Sequence, residues 1–206
     1  MSSTTPTDGL GDKSVLLILS GWACIASAAG VAGWLERVTA PMIAGIVWAL
    51  TILVLIACWK ILSLQAWVMN VDLRWLVRLH LIRFVGIYFL ILSSRGQLPF
   101  AFAAPAGVGD ILVAILAVIL LVVADARNWS ILILWNTIGL TDILFVVLLA
   151  LRLGLADWQS MHALREFPLS LLPTFIVPLI IASHVLIYLR AVRLKRATPG
   201  QRGVME

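Results

Sequence analysis

Charge is what this sequence has least of. Only 12% of its 206 residues are Asp, Glu, Lys or Arg, and ten are acidic. A soluble domain carries about 25% charged residues, so these cannot cover a water-facing surface. Cysteine is equally sparse. The only two, Cys24 and Cys58, lie in apolar runs, which argues against a disulfide framework or a zinc site. H-E-x-x-H, G-x-S-x-G, Walker A and C-x-x-C-H are all missing. Their absence argues against a hydrolase, an ATP-driven pump and covalently attached haem. The net charge of +5 brings no nucleic-acid motif and no aromatic interleaving, so nucleic acid is not an expected partner. What fills the chain instead is hydrophobic: 62% of residues, with mean hydropathy +1.07. The solvent for such a surface is lipid.

The apolar runs place six membrane-crossing helices, at about 14–35, 41–61, 76–94, 108–125, 130–153 and 169–190, each near the roughly 20 residues a crossing needs. The expected fold is an all-α, six-transmembrane helix bundle forming one domain over 13–194. Residues 1–12 (MSSTTPTDGLGD) read as a disordered cytoplasmic N-terminus, and 195–206 as a basic cytoplasmic tail. Ala26-Ser27-Ala28 resembles a signal cleavage site, but its apolar run continues to Leu35, too long for a signal peptide. Between spans 2 and 3, residues 62–75 (LSLQAWVMNVDLRW) suggest a short interfacial amphipathic helix.

Orientation follows from Lys and Arg. Lys13, Lys60, Arg74, Arg78, Arg127, Arg190, Arg193, Lys195, Arg196 and Arg202 share the side of the termini; Arg37, Arg95, Arg152 and Arg165 lie opposite. The positive-inside rule then puts both termini in the cytoplasm. Trp34, Trp59, Trp75, Trp129 and Trp158 fall at the expected interfaces. Residues 95–107 (RGQLPFAFAAPAG) read as an external loop. It is apolar yet holds two prolines, so it should lie in the interface or dip into the bundle.

The charges left inside the spans carry the functional argument, because each costs roughly 2.5–3.5 kcal/mol at the bilayer centre by insertion scales. The stretch VRLHLIRFVGIYFL (77–90) holds three cationic or titratable groups. On α-helical geometry Arg78 shares a face with Arg74 near the headgroups, where both anchor the helix by snorkelling. His80 and Arg83 share another face with Ile87, which should point inward. At about 1.5 Å per residue, Arg83 lies about 10 Å deep and Asp142 about 17 Å, a gap an Arg side chain can bridge. An Arg83–Asp142 ion pair is expected, with Asn136 and Thr141 completing its hydrogen bonds; such a pair can also serve only to fix helix register. His80 and His184 lie about 6 Å and 9 Å deep from the same side, nearly one layer. Asp110 opens span 4, where it either interacts favourably with the helix dipole or gates an external entrance. GVGDIL (107–112) and GLTDIL (139–144) share G-x-x-D-I-L in spans of opposite direction, a faint inverted repeat. Pro173 and Pro178 should kink the helix that carries His184. Asp157, His162 and Glu166 fall on one face of an external segment, either a solvated loop or a metal site.

RFVGIYFL, LPFAFAAPAGVGDI, the Gly/Asp span and FPLSLLPTFIVPLIIASH together resemble uncharacterised multi-pass bacterial inner-membrane proteins, over residues 76–190. The resemblance implies a location in that membrane and no activity. Three functions remain open. In one, His80, Arg83, Asp110, Asn136, Asp142 and His184 line a path for a small solute or ion, coupled to protons through histidine, in a homodimer. In the second, His80 and His184 are the axial ligands of haem b. In the third, the polar pairs merely orient the helices of a scaffold or assembly factor. Membrane lipids are the expected surroundings in each.

Overall fold

The computed structural model describes residues 11–122 and 129–197. Among these residues there is no strand, and six helices are long and apolar enough to cross a membrane: Asp12–Val31, Ala40–Lys60, Leu73–Ser94, Phe100–Val122, Trp129–Ala156 and Leu172–Arg193. All six expose large hydrophobic side chains, such as Leu17, Leu53, Ile87, Val118, Leu148 and Leu189. That surface is costly in water and suited to lipid. The architecture is an all-α six-helix bundle and fits an integral membrane protein.

The outer helices are α1 (Asp12–Val31) and α2 (Ala40–Lys60). A short helix, α3 (Leu62–Asn70), follows, covering the first part of the expected interfacial segment. The chain breaks at Val71–Asp72, and the Asp72 carboxylate accepts from the Arg74 backbone N–H to start α4 (Leu73–Leu79). Span 3 then continues through a six-residue 3-10 segment, His80–Val85, into α5 (Gly86–Ser94). α6 (Phe100–Val122) packs against span 3 and against α7 (Trp129–Ala156), and α8 (Val177–Ala197), packed on α7 and α2, completes the core. The expected tail falls partly on α8 and otherwise, like residues 1–10, outside the described residues.

Three expectations need correction. First, residues 95–107 do not form a loop. Span 3 ends in a Schellman turn, with Gly96 at φ +70° and Gln97 N–H donating to Leu92 O at 2.9 Å. The next helix starts at Phe100 and carries Pro105 inside it. The segment is apolar because it is the outer turn of a span. Second, Asp110 therefore sits ten residues into α6 and does not cap its N-terminus. Third, Ile87 points outward and is exposed. The 3-10 segment explains this. At three residues per turn, positions i and i+3 eclipse, and apart from Leu76 the buried residues of span 3 follow that period: Val77, His80, Arg83, Gly86, Phe89 and Leu92. Four residues beyond Arg83 is no longer the same face.

The prolines of the last span act at a specific place. Leu172–Ile176 is a π-helical turn containing Pro173, a common device at a helix irregularity. Pro178 has no N–H to give the carbonyl of Thr174, four residues back. That carbonyl instead accepts from the Trp22 indole of α1 at 3.0 Å, while the Trp22 ring meets Phe175 edge-on at 4.9 Å. A helix defect thus becomes the attachment point of the first span.

Candidate functional site

Arg83 is the hub. It is 1% exposed, and every nitrogen of its guanidinium is used. Nε donates to Asp110 Oδ1 at 2.7 Å and Nη1 to Gly139 O at 2.9 Å; Nη2 donates to Asp142 Oδ2. One cation on span 3 is thereby shared between carboxylates on two antiparallel helices, α6 and α7. Asp110 and Asp142 occupy the same place in the two G-x-x-D-I-L segments, so that faint repeat is a convergence on one side chain. Small residues make room for it. A Cβ on Gly86 would run into the Gly107 carbonyl, and one on Gly107 would stand 2.7 Å from the Gly86 carbonyl. A side chain on Gly109 would displace the Asp142 carboxylate. Asn136 and Thr141 do not assist that carboxylate: Thr141 is exposed, and Asn136 is engaged elsewhere.

The second layer holds the histidines. His80 and His184 are both fully buried, with ring centroids 4.2 Å apart at 45°. Trp135 stands edge-on to His80 at 4.9 Å and donates its indole N–H to Val113 O at 3.2 Å. The hydrogen bonds fix both tautomers. Ser183 Oγ donates its one proton to Ile180 O at 2.7 Å, so it accepts from His80 Nε2, 3.1 Å away. Asn136 Nδ2 donates to the His184 carbonyl at 3.1 Å, so Asn136 Oδ1 accepts from His184 Nδ1 at 2.8 Å. His80 Nδ1 and His184 Nε2 are left as bare acceptors, buried and without a partner among the described residues. The two layers meet at Gly139. Its carbonyl accepts from Arg83, and a Cβ there would lie 2.6 Å from His184 Cε1 and 3.0 Å from Nε2.

Haem b does not fit these histidines. Axial ligation requires two imidazole nitrogens facing one iron from opposite sides of the macrocycle. Here the rings touch, and His80 Nε2 is committed to Ser183.

At the cytoplasm-facing end expected from the sequence, Arg74 Nη2 donates to Leu121 O at 2.7 Å, near the C-terminus of α6. Arg78 lies over the Trp75 ring at 4.7 Å. At the opposite end Asp157 does not join His162 and Glu166 around a metal. Its carboxylate accepts from the backbone N–H groups of Gln159 and Ser160, and His162 Nδ1 lies 3.1 Å from Gln159 O. Among the described residues no three His, Cys, Asp or Glu side chains form a metal-binding group.

Residues 40–192 match the family described as Domain of unknown function (DUF8737). The chain belongs to the DUF8737 family. The match begins at the first residue of α2 and takes in every residue of both buried layers. No curated protein and no solved structure matches the chain. Within this DUF8737 chain, the sequence did not single out four members of the site. Ser183 and Trp135 adjoin His184 and Asn136 in sequence, and that adjacency was the available signal. Gly139 acts through its carbonyl, which no side-chain pattern reveals. Arg165, counted only as a loop charge, is 6% exposed and lies with its guanidinium 4.4 Å over the Trp158 ring.

Proposed function

We propose that this DUF8737 protein moves a small solute or ion across the membrane, coupled to protons through the Arg83 cluster. One observation carries the reading: the buried site is short of protons. Arg83 supplies one positive charge against two carboxylates, and beside it each histidine holds one bare nitrogen. A register-fixing ion pair needs one carboxylate per guanidinium. With both aspartates ionised the cluster carries one net negative charge in a low-dielectric setting, which is costly. One proton on the cluster makes it neutral, and the bare nitrogens of His80 and His184 are acceptors in the adjoining layer. Loading and releasing that proton changes the charge around Arg83 by one unit, which is the elementary step of proton coupling.

The Lys/Arg asymmetry supports an orientation with both termini cytoplasmic. Six spans leave little room for two alternating halves, which favours a homodimer. Reconstitution into liposomes with a trapped pH-sensitive dye tests the reading. Proton flux is expected with the unaltered protein and lost in Asp142→Asn. Equal flux with Asn at position 142, or none in either protein, overturns it.

A further inference from the structure

Arg83 and Asp110 are also the floor of a cavity. Between that layer and the 157–171 connection, α2, α6, α7, α8 and span 3 enclose about 100 Å³, measured to the centre of a water-sized sphere. A single water needs only about 10–15 Å³ on that measure. The walls are apolar: Val47, Phe89, Phe102, Val147, Ile176 and Ile180 are representative. Along such walls water finds none of the two to four polar partners it needs. The cavity suits a hydrocarbon chain.

The opposite end is not apolar. Arg165 lines the cavity there, nine-tenths buried, with Trp158 beside it. Its Nη2 donates to Trp158 O at 3.1 Å, but its Nε has no partner. Among the described residues the ion pairs are those of Arg83, so no carboxylate neutralises Arg165. Asp157 is engaged with its own turn, and Glu166 is exposed. A buried guanidinium without an anion costs free energy that a ligand can recover. Arg83 cannot play this part, because all its nitrogens are taken.

We propose that the cavity binds an anionic amphiphile, with its carboxylate or phosphate head on Arg165 and its single apolar chain running inward towards the Arg83 floor. This rests on the transport reading and names the class of its substrate. The head group can come from a fatty acid or from an alkyl or isoprenoid phosphate; both offer the paired oxygens a guanidinium binds best.

The test is displacement of a fluorescent fatty acid from the full chain in phosphatidylcholine nanodiscs, with empty nanodiscs as the blank. Palmitate and hexadecyl phosphate distinguish the two head groups; hexadecanol supplies the same chain uncharged. The expected result is saturable displacement by at least one of the anions, about tenfold or more stronger than by hexadecanol. Arg165→Gln should abolish that preference, and Arg165→Lys should keep part of it. Ala150→Phe, which fills the cavity, should remove binding of all three. Hexadecanol competing as well as both anions overturns the proposal, as does Arg165→Gln leaving the preference intact. Should the Gln variant fail to fold, the comparison of head groups on the unaltered protein decides alone. Binding without Asp142-dependent proton flux removes the transport reading and leaves this site standing; flux without saturable binding does the reverse.

Discussion

At the scale of single residues, Arg83 is balanced against more negative charge than it carries. Its loss and the loss of one partner should therefore differ in kind. Arg83→Leu leaves Asp110 and Asp142 buried with no cation, and is expected to destabilise the protein by about 3–5 kcal/mol. Arg83→Lys should recover only part of this, since one ammonium cannot copy a fork serving three acceptors in three directions. Asp142→Asn leaves one guanidinium facing one carboxylate. It should cost less than Asp110→Asn, because the Asp142 side chain is 17% exposed and that of Asp110 only 6%. Thermal unfolding of the four variants in detergent orders them. An Arg83→Leu protein as stable as the unaltered one would mean that the aspartates are already neutral without the guanidinium. The histidine layer gives a separate check. Gly139→Ala places a methyl group 2.6 Å from His184 Cε1, an overpacking expected to cost about 1–3 kcal/mol.

At the scale of elements, the close approach of span 3 and α6 brings Arg83 to Asp110. Gly86 and Gly107 face each other so closely that an added Cβ meets backbone, which cannot swing aside as a flexible side chain can. Gly107→Ala is expected to lower stability by about 1–3 kcal/mol and to lower proton flux in liposomes with it; flux unaffected by the substitution would show that this packing does not hold the site. The helices themselves were legible in the sequence, because a run of apolar residues of fixed length has one reading in lipid. Depth counting also put Arg83 near Asp142 and His80 near His184. What was not legible came from local backbone geometry. Angles assigned at 3.6 residues per turn placed Ile87 inward, whereas the 3-10 segment at His80–Val85 turns it out. Two prolines in 95–107 suggested a loop, yet one precedes the helix at Phe100 and the other is tolerated within it. With that helix start misplaced by eight residues, Asp110 looked like an end-capping residue and its convergence on Arg83 was hidden.

At the scale of the whole molecule, the first span stands apart from the rest. The DUF8737 match starts at Ala40. No residue of α1 lines the cavity or joins either buried layer, and only Val15, Ala26 and Gly30 of that helix are buried. Its attachments are few. They include the Trp22 indole on the carbonyl that Pro178 leaves free, the Trp22 ring on Phe175, the packing of Gly30 against Ser170, and the Trp67 indole on Asp12 at 2.7 Å. A neutral hydrogen bond of this kind contributes about 0.5–1.5 kcal/mol. Trp22→Phe keeps the ring contact with Phe175 and removes only the bond, so it should loosen α1 by about that amount. A chain beginning at Thr39 should go further and lose α1 while keeping the Arg83 cluster. Its remaining Lys60, Arg74, Arg78, Arg190 and Arg193 still favour the same side of the membrane for the other five spans. The measurement is thermal unfolding and fatty-acid displacement of the shortened chain beside the full one. Unfolding within a few degrees and unchanged displacement are expected if α1 is an attached helix rather than part of the site. Loss of binding in a shortened chain that still folds would instead make α1 a wall that the bound amphiphile needs.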